Sequence, residues 1–391
     1  MAESTPDPTS SSQLPERSAI QQLVEELLDK ADVRINGDRP WDIQVHNPAL
    51  YARITRAGAP LAFGEAYMEG WWDCEQLDEL MARILQSQVN RQVKKLGTWQ
   101  LIKAYLSATV INKQNPNRAF EVGKVHYDIG NDLYRRMLDS RMIYSCGYWA
   151  QADNLEDAQY QKLDLICRKL ELRPGMTLLD IGCGWGGLAE FAARHYGAQV
   201  TGVTISREQQ KLAQEYCAGL PVDIRLEDYR ALEGQFDRIV SVGMFEHVGH
   251  KNYRTYFETA HRLMADNGLF LLHTIGNERE HTSTDPFIDK YIFPNGEIPS
   301  RRRINEASLA LLRLEDWHNF GPDYDRTLMA WWHNFDRAWH DLKDKYKHNH
   351  FYRMWKYYLL SCAGYFRSRE GQLWQLVFSK PGTRREYRSI R

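Results

Sequence analysis

The run Leu178-Leu179-Asp180-Ile181-Gly182-Cys183-Gly184-Trp185-Gly186-Gly187 constrains this protein more than any other stretch. Met176 to Ile181 is apolar and short enough for a buried strand. It breaks into glycines and resumes as the helical pattern Leu188-Ala189-Glu190-Phe191-Ala192-Ala193. Alternating glycines let the backbone turn sharply and approach a ligand, because no Cβ intervenes. A nucleotide-type cofactor lies in this way across the carboxyl end of a parallel sheet. The spacing is D-x-G-x-G-x-G, not the G-x-G-x-x-G that cradles a pyrophosphate. On its own, such a turn is also compatible with a plain tight strand-to-helix connection.

The following segments extend the pattern. Ala198 to Ser206 reads as a second strand, and Thr204 stands twenty residues past Gly184, where an open α/β sheet places its ribose-contacting residue. The usual acid is missing there, so Thr204 and Gln209 are expected to supply neutral hydrogen bonds. Val222 to Leu226 is a third strand, ending in Glu227-Asp228-Tyr229, where adenine would be read. Phe236 to Gly243 and Gly268 to His273 are the fourth and fifth. Strands alternating with helical stretches predict an α/β fold, a mostly parallel sheet with helices on both faces. The acid followed by this glycine run resembles motif I of the S-adenosylmethionine-dependent class I methyltransferases. That resemblance implies S-adenosyl-L-methionine as co-substrate, with its methionyl ammonium near Asp180.

A length of 391 residues leaves room for one large or two modest domains. A formal charge of -1 gives no argument for a nucleic-acid partner. The six cysteines are dispersed without C-x-x-C pairs, which points to reduced, cytoplasmic thiols. No apolar run approaches membrane-spanning length and the N-terminus lacks a signal-peptide core, so a soluble, non-exported protein is expected. Residues 1–16, polar and rich in Ser and Pro, are expected to be disordered.

Residues 17–112 read as a small N-terminal unit, mainly helical or α+β. It includes a helix from Ile20 to Ala31, and another begun by Asn47 as N-cap and Pro48. Residues 113–120 read as a linker and 121–391 as the catalytic domain. Segment 81–120 holds Arg83, Arg91, Lys94, Lys95, Lys103, Lys113 and Arg118 and no acid. With Trp99, Leu101 and other apolar positions, it is compatible with a basic amphipathic helix lying on a membrane surface, or with a solvated face packed on its own domain. Two more basic runs, Arg301-Arg302-Arg303 and the C-terminal arginines, are segregated positive stretches. Twelve tryptophans and twenty-one tyrosines cluster along the sequence. Ordinary core packing accounts for most of them; an aromatic-lined apolar tunnel that tolerates a cation is the sharper alternative.

Gly64 to Trp72, His126-Tyr127-Asp128, Tyr144-Ser145-Cys146, Asp180 to Gly187, Glu246-His247-Val248-Gly249 and Tyr324 occur in this order. Together they resemble the bacterial cyclopropane-fatty-acyl-phospholipid synthases, relatives of the mycolic acid cyclopropane synthases, from about residue 20 to the C-terminus. The resemblance implies methyl transfer to the cis double bond of an unsaturated acyl chain in a membrane phospholipid. Ring closure then needs a base to remove a proton, a role it assigns to bound bicarbonate. By motif, the bicarbonate pocket would be Cys146, Glu246, His273, the backbone of Ile275 and Tyr324. Tyr144, Ser145, Asp180, Gly182, Gly184, Trp185, Gly186, Thr204, Gln209 and Asp228 would hold the cofactor. Cys362 and Tyr127 would stand near the site, Cys362 as helix packing rather than as a nucleophile. A homodimer, peripheral at the inner face of the membrane, is also implied. No metal is expected, because His247 and His250 lack evident further ligands. The alternatives are a C-methyltransferase that acts on acyl groups without ring closure, a small-molecule N-methyltransferase and a lipid-surface binding protein.

Overall fold

The computed structural model describes residues 19–57, 59–88, 130–280, 284–346, 350–383 and 386–391. Tyr127, the linker expected at 113–120, Lys94, Lys95, Trp99, Leu101 and Lys103 lie outside them.

The N-terminal unit carries helices Ala19–Asp29, Ala49–Ala57, Ala59–Met68 and Leu77–Gln86, with a two-stranded antiparallel ribbon of β1 (Gln44–Val45) and β2 (Trp72–Asp73). Asn47 Oδ1 accepts from the Ala49 amide at 3.0 Å, the cap that the Asn-Pro pair predicts. Trp72 is enclosed, stacked on Phe63 at 4.0 Å with its indole N–H donating to the Phe63 carbonyl. This unit packs on the late helix Phe351–Arg367. At Gly364 a Cβ would stand 2.5 Å from the Asp78 carbonyl, so the two helices meet backbone to backbone.

The remainder is built on a seven-stranded sheet. Its strands are β3 (Thr177–Ile181), β4 (Gln199–Thr204), β5 (Val222–Leu226), β6 (Phe236–Val242), β7 (Met264–Gly276), β8 (Arg313–Asn319) and β9 (Gln372–Ser379), in spatial order β5-β4-β3-β6-β7-β9-β8. The first five are parallel, at the positions the apolar runs predict. β9 is antiparallel to both β7 and β8. Alternate side chains feed opposite layers. Leu178, Val240 and Leu271 pack with Leu163 and Phe191 on one face, while Leu179, Ile239 and Leu272 pack with Phe257 on the other. Strand order reverses between β3 and β6, so the ligand crevice of such a sheet opens past their carboxyl ends.

Candidate active site

β3 delivers Asp180 and the glycine turn to that crevice. Gly182, Gly184 and Gly186 all have positive φ, +82°, +54° and +86°, which glycine adopts without steric penalty. They differ in what a Cβ would meet. At Gly182 it would press on Met244 at 2.8 Å and at Gly186 on Ala213 at 3.0 Å; at Gly184 it would meet nothing within 4 Å. Gly184 therefore presents bare backbone to open space. Asp180 is 2 % exposed, and no donor reaches its Oδ2. Burial raises its pKa to about 7, against the pull of Lys162. Past β4, Thr204 donates to Gln209 Oε1 at 2.8 Å and accepts from the Ser206 amide, so these two residues are joined to each other. Past β5, the Asp228 carboxylate holds the amide and guanidinium of Arg230. The Trp185 ring turns into the helical core, where its indole N–H donates to Asn131 and its ring lies 4.9 Å from Tyr134.

The segment Tyr144 to Trp149 runs between two helices that fix it. Gln159 Nε2 donates to the Ser145 carbonyl and Lys162 Nζ to Ser145 Oγ at 2.7 Å, both from helix Leu155–Lys169. Thr327 Oγ1, on helix Pro322–Leu342, accepts from the Gly147 amide and the Trp149 indole. Tyr144 shares a 2.8 Å hydroxyl–hydroxyl bond with Tyr358, and its ring lies 5.2 Å from Trp331 and 6.2 Å from Phe293.

Past β6, a 3-10 turn Phe245–His247 carries Glu246. Its Oε1 accepts from the Ile275 amide at 2.7 Å, and its enclosed Oε2 has no partner. Burial lifts the carboxyl to about 7, with the Ile275 hydrogen bond pulling the other way. The Ile275 amide expected to face an anion is thus already engaged by Glu246. Cys146, Phe320 and Leu373 form one cluster with Ile275 and Tyr324. Burial pushes the Tyr324 phenol far up, with Cys146, Glu246 and Cys362 near enough to add repulsion. Those four side chains share one environment. Cys146 is also held protonated by burial, its Sγ 3.1 Å from the Gly147 carbonyl. His273 projects from β7 onto the same sheet face, 5.8 Å from the Phe320 ring. Burial and the charges of Lys162, Lys169 and His318 keep it neutral. The Gln375 amide meets Nδ1 at 3.3 Å, and Nε2 is enclosed and without a partner. Cys362, on the helix that packs against the N-terminal unit, has its thiol pushed up to about 12 by burial.

Three further residues join the site without having been expected there. Lys162 stands at helical spacing between Ala158 and Ile166, a charge on an apolar face, and that signal was present in the sequence. Glu297 had none. Its amide donates to the Glu246 carbonyl at 2.8 Å, while its carboxylate holds the His250 ring and Arg303, clamping the turn that carries Glu246. Gln375, the partner of His273, lies on a strand the sequence did not reveal. The basic runs also need correction. Arg301, Arg302 and Arg303 are paired with Glu278, Glu280 and Glu297, and Arg391 with Asp316. Arg83 pairs with Glu79 and Asp32. Among the described residues, acids from elsewhere in the fold offset this charge; residues 89–129, 384 and 385 lie outside them.

Comparison with known proteins agrees with this geometry. Residues 114–376 match the family profile described as mycolic acid cyclopropane synthetase. The protein is 54% identical over 358 residues to the cyclopropane-fatty-acyl-phospholipid synthase of Escherichia coli K12, covering 92% of this chain and 93% of that one. Among solved structures, the cyclopropane synthase MmaA2 of Mycobacterium tuberculosis superposes with a TM-score of 0.64 at 32% identity, over 69% of this chain and all of that one. Mycolic acid cyclopropane synthase CmaA1, solved with SAH and CTAB, gives 0.62 at 34% identity, over 67% and 98% of the two proteins. Coclaurine N-methyltransferase, at 21% identity, shares the fold with a TM-score of 0.67 over 83% of this chain and all of that one. With the glycine turn, the strand order and these matches in agreement, the chain belongs to the mycolic acid cyclopropane synthetase family of class I methyltransferases.

Proposed function

We propose that this protein transfers the methyl group of S-adenosylmethionine to a cis double bond in the acyl chain of a membrane phospholipid and closes a cyclopropane ring there. The observation that carries the reading is Glu246 Oε2, an enclosed acceptor without a partner in a thiol- and aromatic-lined site past β6. An alkene is a weak nucleophile, so the sulfonium must be presented at close range in line with it. In this reading the glycine turn and Asp180 hold the cofactor, and the aromatic walls tolerate cationic charge while excluding water.

Bicarbonate, when bound, would supply the base that takes the proton from the added methyl. The residues present fit such an ion. Glu246 Oε2 can accept its hydroxyl, and the His273 Nε2–H and Tyr324 O–H can donate to its oxygens. Cys146 is a weak donor beside them. Glu246 also repels the anion unless that hydroxyl is turned toward it, so its role is orientation. The high thiol pKa of Cys362 supports helix packing there rather than nucleophilic chemistry.

Mass spectrometry of phospholipids from cells expressing the protein tests the reading. Unsaturated chains should gain the mass of one methylene, with upfield cyclopropane signals by proton NMR. A methyl-branched product would support the ring-free alternative, and no lipid change would refute both. Among the described residues no helix is long and apolar enough to cross a membrane. We assign bilayer attachment to the acid-free segment 81–120, and a homodimer to the working enzyme. Charge reversal at Lys94 and Lys95 should weaken sedimentation with anionic vesicles; unchanged sedimentation at low salt would move the contact elsewhere.

A further inference from the structure

Lys162 has no task in the chemistry above, yet its side chain is fully enclosed, at 0 % exposure. Helical spacing places it between Ala158 and Ile166, where an apolar side chain would serve packing. A buried cation ordinarily sits against a carboxylate, because leaving water is expensive. This one does not. Asp139 and Asp180 act on it from a distance, while the acceptor it reaches is the neutral Ser145 Oγ at 2.7 Å. Three N–H groups facing one hydroxyl leave hydrogen-bonding capacity to spare. Replacing such an ion by an apolar side chain is often neutral or stabilising, so packing gives no account of it.

The neighbours indicate what the charge is aimed at. Ser145 Oγ accepts from an ammonium, so its own proton is left to donate, and the cation makes it a stronger donor. Ser145 also borders the end of β6, where a Cβ on Gly243 would stand 3.8 Å from the Ser145 Cβ. At the end of β3, the strand beside β6, Asp180 Oδ2 has no donor. A cation-backed hydroxyl and an unpartnered carboxylate, past the ends of adjacent strands, form a bipolar receptor. Its complement is an α-amino acid, with a carboxylate for the first and an ammonium for the second. The other titratable groups around Lys162 are Cys146 and His273, both kept neutral by burial, so neither cancels its charge.

We propose that Lys162 is a positioning residue of the cofactor site, holding the carboxylate of the methionyl end of S-adenosylmethionine through Ser145 Oγ while Asp180 takes the ammonium. This rests on the cofactor reading given above. Calorimetry on the full-length protein separates the two, using S-adenosylhomocysteine and 5′-methylthioadenosine, which lacks the amino-acid end. Lys162→Met should lower affinity for S-adenosylhomocysteine about 10- to 100-fold, the range for a hydrogen bond to a charged group, and leave that for methylthioadenosine unchanged. Lys162→Arg should recover part of the loss. Lys162→Gln keeps an N–H donor for Ser145 Oγ but removes the buried charge and should show the same selective loss, so the test stands even where Lys162→Met does not fold. Equal losses for both ligands would make Lys162 a structural residue and overturn the proposal, as would undiminished binding of S-adenosylhomocysteine. A wild type that binds neither ligand would remove the cofactor reading itself.

Discussion

Replacing Glu246 by Gln should stabilise the protein at alkaline pH while stopping its chemistry. Burial raises the Glu246 carboxyl from 4.5 to about 7. The folded state therefore holds its proton more tightly than the unfolded state does. The group's contribution to stability is fully present below about pH 4.5 and is lost as pH rises through about 7. That shift corresponds to ~3.4 kcal/mol at high pH, at 1.36 kcal/mol per unit. At about pH 5.5 the unfolded state is already mostly ionised, so ~1.4 kcal/mol is lost there and ~2 kcal/mol more by about pH 8.5. Gln keeps the acceptor for the Ile275 amide and has nothing to ionise. The stability difference, variant minus wild type, should therefore grow by ~2 kcal/mol between these pH values, about 30-fold in the folded-to-unfolded ratio. Urea titrations followed by tryptophan fluorescence in bicarbonate-free buffer measure it, and other titrating groups cancel in the difference. Turnover should fall about 100-fold or more. A difference that stays constant with pH, or shrinks as pH rises, would mean that Glu246 titrates normally, and the argument from its burial would fail.

At Gly184, substitution by Ala should weaken S-adenosylhomocysteine at least about tenfold, because its Cβ would enter the open space past β3; the positive φ adds a stability loss of about 1–2 kcal/mol. Unchanged affinity by calorimetry would move the cofactor elsewhere. Asp316→Asn removes the carboxylate facing the buried Lys169 at 3.4 Å and should destabilise by about 3–5 kcal/mol in urea. A loss under about 1 kcal/mol would show that Lys169 is neutral or paired elsewhere. Gly364→Val forces a side chain against the Asp78 carbonyl at 2.5 Å. It should cost about 1–3 kcal/mol and expose the N-terminal unit to limited proteolysis; an unchanged digestion pattern would refute the close helix contact.

By itself the sequence determined what near neighbours along the backbone decide. The turn from β3 into helix Gly187–Tyr196 follows from an apolar run meeting glycines, and the five parallel strands follow from alternating apolar runs. The Asn47 cap follows from one side chain reaching an amide two residues on. Glu246 and His273 could be placed at strand ends on the same grounds, and the chemistry expected of them came from the order of the motifs. Tertiary structure alone decided the rest, because the partners are far apart in sequence. β9 enters antiparallel beside β7, bringing Gln375 to His273 from 102 residues away. Glu297 reaches back to brace the Glu246 turn, and Lys162 meets Ser145 from 17 residues away. The arginines at 301–303 count as a positive patch in sequence, yet the fold sets Glu278, Glu280 and Glu297 against them. Charge and burial are properties of a neighbourhood in space, and only packing assembles that neighbourhood.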